Sequence, residues 1–402
     1  MKTAFITILI LILCGCTKEQ KITTLEDLEF KSLDYVKEYS SNNNIELTIN
    51  YEYNDNIESN YIISQSIPST TNIDEVTKLE VIVSKGKLDL AKLSNDKINE
   101  LGRVPVMMYH GIINTPSNET KYTGGNVDKD GYQRTVEAFR NDLEFYYENG
   151  YRMIRLEDYI NGIIDVEYAK SPIVLTFDDG LENNIKVTGL DNDGNIIIDP
   201  NSAVGVLEEF KKKYPDFNVT ATFFLNSSLF NQKEYNTKII TWLVDNGYDI
   251  GNHTLNHYDF TKINENTTKK EVGGMYKILD EIIPNKYTSI VALPFGSPYK
   301  KSHDNFNHIL KGDYEGYKYE TLSTLRVGWE ANNSPFSTTF DKTFIKRIRA
   351  WDNNGVEFDI SMNFKLLEKN RYISDGDKDV IVINNKDKDY IINTDKEVII
   401  YE

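Results

Sequence analysis

An α/β fold with a parallel sheet covered by helices is predicted for most of this 402-residue chain, behind a smaller α+β unit. Three observations carry that prediction. From Val104 onward, short fully apolar runs alternate with amphipathic segments of helical period, the pattern of strands buried on both faces between helices. Ahead of Val104, one short helical pattern is followed by alternating strand patterns. The length exceeds one ordinary domain and is comfortable for two. The large sheet is expected to be open or closed into a barrel.

The elements follow in chain order. Met1-Lys2 supplies a short positive end, and Ala4 to Leu13 is an apolar run too short to span a bilayer as a mature helix. It ends in Leu13-Cys14-Gly15-Cys16 and turns at once to polar Thr17-Lys18-Glu19-Gln20. This resembles a bacterial lipoprotein signal, which implies lipidation of Cys16 and an extracytoplasmic protein anchored to the cell membrane by lipid. The chain has two cysteines, both inside this segment. The mature chain would therefore hold no internal disulfide and no cysteine for metal binding or catalysis.

Residues 17–30 read as a polar tether. Residues 31–86 form the small unit: a helix with Leu33, Val36 and Tyr39 on one face, a strand at Ile45-Glu46-Leu47-Thr48-Ile49, another at Ile62 to Pro68, and a third at Leu79 to Gly86. "ISQSIP" and "LEVIVSKG" resemble the PASTA module, a small helix-plus-sheet domain associated with peptidoglycan. The unit is then a wall binder or a spacer that presents its neighbour.

Residues 87–103 read as a polar connector, and 104–402 as one domain with a C-terminal strand extension. Val104 to Tyr109 is a buried-type strand. Thr135 can cap a helix with Val136, Phe139, Leu143 and Tyr146 inward, and Gly150 can end it. Strands follow at Pro172 to Phe177, Val219 to Leu225, Tyr248 to Ile250 and Ile290 to Leu293. Helices intervene around Val206 to Phe210, Ile239 to Asn246 and Val272 to Ile283. Between Gly180 and Ala203, Asp191-Asn192-Asp193-Gly194-Asn195 reads as a hairpin turn. It lacks the glycine position and the closing acid of a calcium loop. Val380 to Ile383 and Glu397 to Ile400 are appended strands.

The formal net charge is −17. That excludes a nucleic-acid partner, which needs a basic face, and a polybasic membrane patch.

Two clusters carry chemistry. In Thr176-Phe177-Asp178-Asp179-Gly180, adjacent carboxylates stand at the C-terminal end of a buried strand, the active-site end of a parallel α/β fold. Adjacent residues on an extended chain point apart, so one acid can bind a metal while the other faces a water. In His253-Thr254-Leu255-Asn256-His257, the imidazoles are four apart and would face one way on a helical turn. The chain has five histidines, so this pairing is informative. Two His and one Asp leave coordination positions open, as catalytic sites do. Such ligands suit zinc first, with cobalt, nickel or manganese also accommodated.

"TFDDG", "HTLNH" and "PFG", in that order, resemble the polysaccharide deacetylase family, family 4 of the carbohydrate esterases, with its NodB-homology domain. The resemblance implies a distorted (β/α) barrel. It implies Asp178 as general base, and Asp179, His253 and His257 as metal ligands. Pro294-Phe295-Gly296 matches the motif in which the backbone N–H of Phe295 helps hold the oxyanion, and Pro294 would border the substrate. The family's Arg two residues before that proline is here Ala292, and its late His is missing. His110, at the end of "PVMMYH", can fill the acid's place because first and last strands of a closed barrel are neighbours. This resembles the circularly permuted branch of the family. Arg326, Arg347 or Arg349 can replace the missing Arg. Arg347 is otherwise a substrate contact, and Trp329 is a sugar-stacking or a core residue.

The expected activity is metal-dependent N-deacetylation of an N-acetylglucosamine-containing cell-wall or surface polysaccharide, releasing acetate. The partners are that N-acetylated polysaccharide, of peptidoglycan or poly-N-acetylglucosamine type, and the membrane through a lipid anchor. The competing readings are an O-acetyl esterase using the same metal site, and a wall-binding lipoprotein with a degenerate deacetylase fold.

Overall fold

A computed structural model describes residues 24–402 of the chain. The expected signal, Cys16 and most of the expected tether lie outside the described residues. The chain divides after Asp89 into two units.

In the first unit, helix Leu33–Asn42 starts where the Ser32 side chain accepts a hydrogen bond from the Tyr35 N–H, satisfying one of the free donors of the first turn. Strand Lys78–Ser84 is central, parallel to Glu46–Glu52 and antiparallel to Ile62–Gln65. Its inward residues Leu79, Val81 and Val83 meet Leu33, Val36 and Ile62 in a single apolar cluster. Leu25 and Leu28 belong to that cluster too. Residues 24–30 are therefore part of this unit and not of a tether. Leucines three apart give an otherwise polar stretch one apolar side, and the Leu28 N–H donates to Gln65 Oε1 at 2.6 Å.

The second unit begins earlier than the sequence pattern indicates. Residues 90–103 form no connector: helix Leu90–Asn95 buries Leu93, and Ile98 and Glu100 are buried behind it. The Glu100 carboxylate accepts from the Tyr372 hydroxyl at 2.9 Å and the Val382 N–H at 2.8 Å, which binds the segment to the far end of the chain.

Eight strands form the main sheet, in the order Phe344–Ile345, Ser323–Leu325, Ile290–Ala292, Asp249–Asn252, Thr222–Leu225, Ser171–Phe177, Val106–Tyr109 and Ile348–Arg349. A ninth, Tyr151–Met153, also pairs with Ser171–Phe177. All of these pairings are parallel. The two edge strands are consecutive on the chain, separated only by Lys346 and Arg347. Three Cα–Cα steps span at most about 11 Å, so the sheet has curled until its edges nearly meet. This is the distorted barrel that the motifs implied.

Ser171–Phe177 is buried along its whole length, as a strand covered on both faces must be. Each fully buried Val, Leu, Ile or Phe stabilises the fold by about 1.5–3 kcal/mol. Helix Val136–Glu148 covers one face through Phe139, Leu143 and Tyr146, with Thr135 as its cap. The third predicted strand is shorter than its apolar run, with only Thr222–Leu225 in the ladder. Val187–Leu190 and Ile196–Ile198 make the expected hairpin. Val380–Asn384 and Glu397–Tyr401 pair with each other, outside the barrel sheet. Among the described residues, no helix is long and apolar enough to cross a membrane.

Candidate active site

Strands Val106–Tyr109, Ser171–Phe177, Asp249–Asn252 and Ile290–Ala292 end at the same mouth of the barrel, and each delivers its next residues to one cavity of about 220 Å³. His110, Tyr132, Asp178, Asp179, His253, His257 and Phe295 line it.

The carboxylate pair separates by a turn and not by extension. The strand ends at Phe177, and Asp179 and Gly180 both take left-handed backbone, with φ of 75° and 59°. A side chain at Gly180 would place its Cβ 2.4 Å from the Leu229 carbonyl oxygen, so only glycine fits this step. Asp178 turns into the barrel, 2% exposed.

The histidines converge for a reason other than helical spacing. Residues 253–259 are irregular, and Thr254 and His257 are left-handed, with φ of 66° and 58°. Side chains hold the loop: Asn252 Oδ1 accepts from the Thr254 N–H, Thr254 Oγ1 from the His257 N–H, and the Glu271 carboxylate from Asn256 N and Nδ2. Glu271 is fully buried and lies 15 residues away. Nothing in the local pattern points to it.

Asp179 Oδ1 lies 3.2 Å from His253 Nε2 and 3.5 Å from His257 Nε2. His253 Nδ1 meets the Ala292 carbonyl at 2.8 Å. A carbonyl only accepts, so Nδ1 carries the proton, and Nε2 presents a lone pair whenever the ring is neutral. That Nε2 is buried and makes no hydrogen bond. Either a proton on the ring, which Asp179 and Asp178 favour by raising its pKa, or a metal ion can stand between Nε2 and the carboxylate oxygen. Donors of one tetrahedral or octahedral ion sit roughly 3–3.5 Å apart at bond lengths of about 2.0–2.2 Å. Both distances to Asp179 meet this spacing, all three ligand atoms lie within 4.8 Å of one another, and the second nitrogen anchored on a carbonyl is the usual support of a metal-bound histidine. Asp179, His253 and His257 thus fit a divalent ion and form a candidate metal centre.

Arg347 is fully buried, which corrects its assignment as a substrate contact. Its NH1 donates to Asp178 Oδ1 at 2.7 Å and its NH2 to Oδ2 at 2.6 Å. Its Nε donates to the Arg326 carbonyl and NH1 also reaches Thr176 Oγ1. Of the three candidate arginines, it is the one hydrogen-bonded to Asp178. Burial pushes the Asp178 carboxyl up, but the Arg347 guanidinium and the neighbouring imidazoles pull harder and hold it well below the ordinary carboxylate range.

His110 Nε2 stands 4.0 Å from Asp178 Oδ2, beyond hydrogen-bond range, and its Nδ1 is buried without a partner. Burial lowers its pKa against the pull of Asp178 and Asp179. The Tyr132 ring packs edge-on against it at 4.7 Å. The strand before His110 lies between Ser171–Phe177 and Ile348–Arg349, so first and last strands are neighbours here.

The Pro294 side chain is buried and is not among the residues that line the cavity. Phe295 is left-handed at φ 57°, and its ring is 55% exposed beside His257. Trp329 is 42% exposed and packs on Phe358 at 4.7 Å, outside the cavity lining, so it is no core residue.

Residues 165–309 match the polysaccharide deacetylase family, and residues 23–85 match the PASTA domain. The barrel is therefore that of a hydrolase of acetylated sugars. More particularly, the chain carries a polysaccharide deacetylase domain of NodB type behind a PASTA domain, and its chemistry is polysaccharide deacetylation. His110 and Arg347 lie outside the matched stretch. A comparison with curated proteins finds no match. Among solved structures, the Streptococcus pyogenes deacetylase PplD in complex with acetate is 19% identical, with a TM-score of 0.44, covering 61% of this chain and 92% of that one. A de-N-acetylase from Aggregatibacter actinomycetemcomitans is 15% identical, with a TM-score of 0.41, covering 61% and 94%. The peptidoglycan deacetylase PdaC from Bacillus subtilis is 23% identical, with a TM-score of 0.24, covering 34% and 54%.

Proposed function

We propose that this protein is a divalent-metal-dependent N-deacetylase that releases acetate from an N-acetylglucosamine-containing polysaccharide of the bacterial wall or surface. One observation carries the reading: a buried, Arg-held carboxylate stands next to an Asp-His-His set whose ligand atoms lie within 4.8 Å of one another.

A divalent ion held by Asp179, His253 and His257, zinc being the first expectation, would supply Lewis acidity toward the amide oxygen. The residues do the rest. Asp178 takes the proton from the attacking water. Arg347 fixes both carboxylate oxygens, so the base cannot rotate away. His110 is the neighbouring ring that can carry a proton to the leaving amine. The Phe295 N–H, on its left-handed turn at the cavity wall, faces the developing oxyanion. The products are acetate and an amine that becomes cationic.

Lipidation of Cys16, anchorage outside the membrane and wall binding by the PASTA domain belong to the same proposal. They rest on the apolar run ending at Cys16 and on the family of residues 23–85.

Acetate release from N-acetylated oligosaccharides, with an O-acetylated polymer in parallel, tests the reaction. Activity on the N-acetylated glycan that chelation abolishes and zinc restores is expected. Activity confined to the O-acetyl polymer would replace the reading by an esterase, and activity insensitive to chelation would end the metal assignment.

A further inference from the structure

Four arginines are buried among the described residues. Three hold carboxylates: Arg134 pairs with Asp142 and Asp352, Arg152 with Asp216, and Arg347 with Asp178. Arg349 is 7% exposed, its guanidinium has no hydrogen-bond or ion-pair partner among the described residues, and its Nε is buried. Asp352, three residues on, is taken by Arg134 and the Gly125 N–H. Three aromatic rings stand around the guanidinium: Trp351 at 4.5 Å, Tyr132 at 5.1 Å and Trp329 at 5.5 Å. Ring faces offset part of the desolvation of a cation, but a buried charge without a counter-charge is costly.

Its place points to a ligand. Ile348 packs into the core, so the residues on either side of it point the other way. Arg347 reaches Asp178, and Arg349 sits one step nearer the barrel mouth. Tyr132 lines the active cavity and touches the His110 ring, and Trp329 with Phe358 forms an exposed apolar platform beyond it. A planar fork of donors beside an aromatic platform is suited to an acidic sugar: the ring stacks and the carboxylate is gripped at two points. The chain carries a net charge of −17 and repels polyanions at long range, so recognition of one requires a local cation of this kind.

We propose that Arg349, framed by Tyr132 and Trp329, selects carboxylate-bearing glycans by binding the carboxylate of an acidic sugar adjacent to the unit being deacetylated. The inference rests on the proposed deacetylase reading and names its substrate class.

The test uses the full chain as wild type, Arg349→Met and Arg349→Lys. The substrates are a neutral N-acetylglucosamine oligomer, an oligomer alternating N-acetylglucosamine with its lactyl-ether sugar, the methyl ester of that oligomer, and one alternating with a hexuronic acid. Wild type is expected to prefer at least one carboxylated glycan about tenfold in kcat/KM, and the preferred one identifies the source of the carboxylate. Arg349→Met should lose about 10–100-fold on that glycan, with little change on the neutral oligomer or the ester, and Arg349→Lys should recover part of it. Equal losses on charged and neutral glycans would make Arg349 a packing residue and overturn the proposal, as would a wild type without preference. Calorimetric titration with the already deacetylated glycans separates the two readings. Binding that needs both the carboxylate and Arg349, in a protein that releases no acetate, would sink the reaction and keep the anion site. Acetate release with no carboxylate-dependent binding would do the reverse.

Discussion

Arg347 and Asp178 are joined at both ends of the carboxylate, NH1 to Oδ1 at 2.7 Å and NH2 to Oδ2 at 2.6 Å, with neither side chain more than 2% exposed. The arginine comes from the chain that links the two edges of the sheet, and the aspartate from a strand 169 residues earlier. A buried ion pair of this kind contributes little net stability, yet breaking it from one side is strongly destabilising.

Arg347→Met should therefore cost about 3–5 kcal/mol in unfolding free energy and at least about 10²-fold in kcat through a misplaced base. Arg347→Lys keeps the charge but not the fork, and should fall between. Urea unfolding and steady-state kinetics read the two effects separately. Native kcat in a folded Arg347→Met protein would show that the pair does not position the base.

Asp179→Ala and His253→Ala should each strip metal from the purified protein, measured by elemental analysis, whereas Asp178→Asn should retain it. Full occupancy in either of the first two variants would remove that residue from the ligand set.

His110→Ala is expected to keep its metal and to lose about 10²–10⁴-fold in rate, the usual range for a general acid or base. The ring is 11% exposed and one of its nitrogens bonds to nothing. Little stability should therefore be lost with it, and thermal unfolding should shift far less than the rate.

Asp359 caps helix Ile360–Leu367 and accepts hydrogen bonds from the N–H groups of Ser361, Asn353 and Gly355. Burial raises its pKa, but these donors outweigh burial and lower it overall. A depressed folded pKa contributes stability above the ordinary carboxylate value and loses it as the pH falls through the folded value. Asp359→Ala should cost about 1–2 kcal/mol at pH 7, and its gap from wild type should shrink below about pH 4. Urea melts at pH 7 and pH 3 check both. The same loop carries Phe358, so the variant should also disturb the Trp329 platform.

The candidate metal centre was legible because its signals are local. An acid pair after an apolar strand and two histidines four apart are visible in a dozen residues. The means of their convergence were not. The histidines come together through left-handed residues and a pin from Glu271, and neither leaves a periodic trace. Arg347 is one of three candidate arginines in the sequence, and only the curl of the sheet decides which of them reaches Asp178. In the sequence, Leu25, Leu28 and the segment from Leu90 read as tether and connector because their surroundings are polar. A few apolar side chains with distant partners are enough to make them part of the folded units. The barrel itself was readable from the alternation of apolar runs with helical patterns, whereas its near closure rests on two residues between edge strands.

That short crossing has a bearing on biosynthesis. Asp178, the proposed base, emerges from the ribosome long before the guanidinium that holds it, and the residues between them build most of the sheet. A chain stopped short of Arg347 could already own every candidate metal ligand and still lack an oriented base. In such a protein the power to hydrolyse would arrive late and all at once, when the last strands dock and the circle of strands is drawn shut.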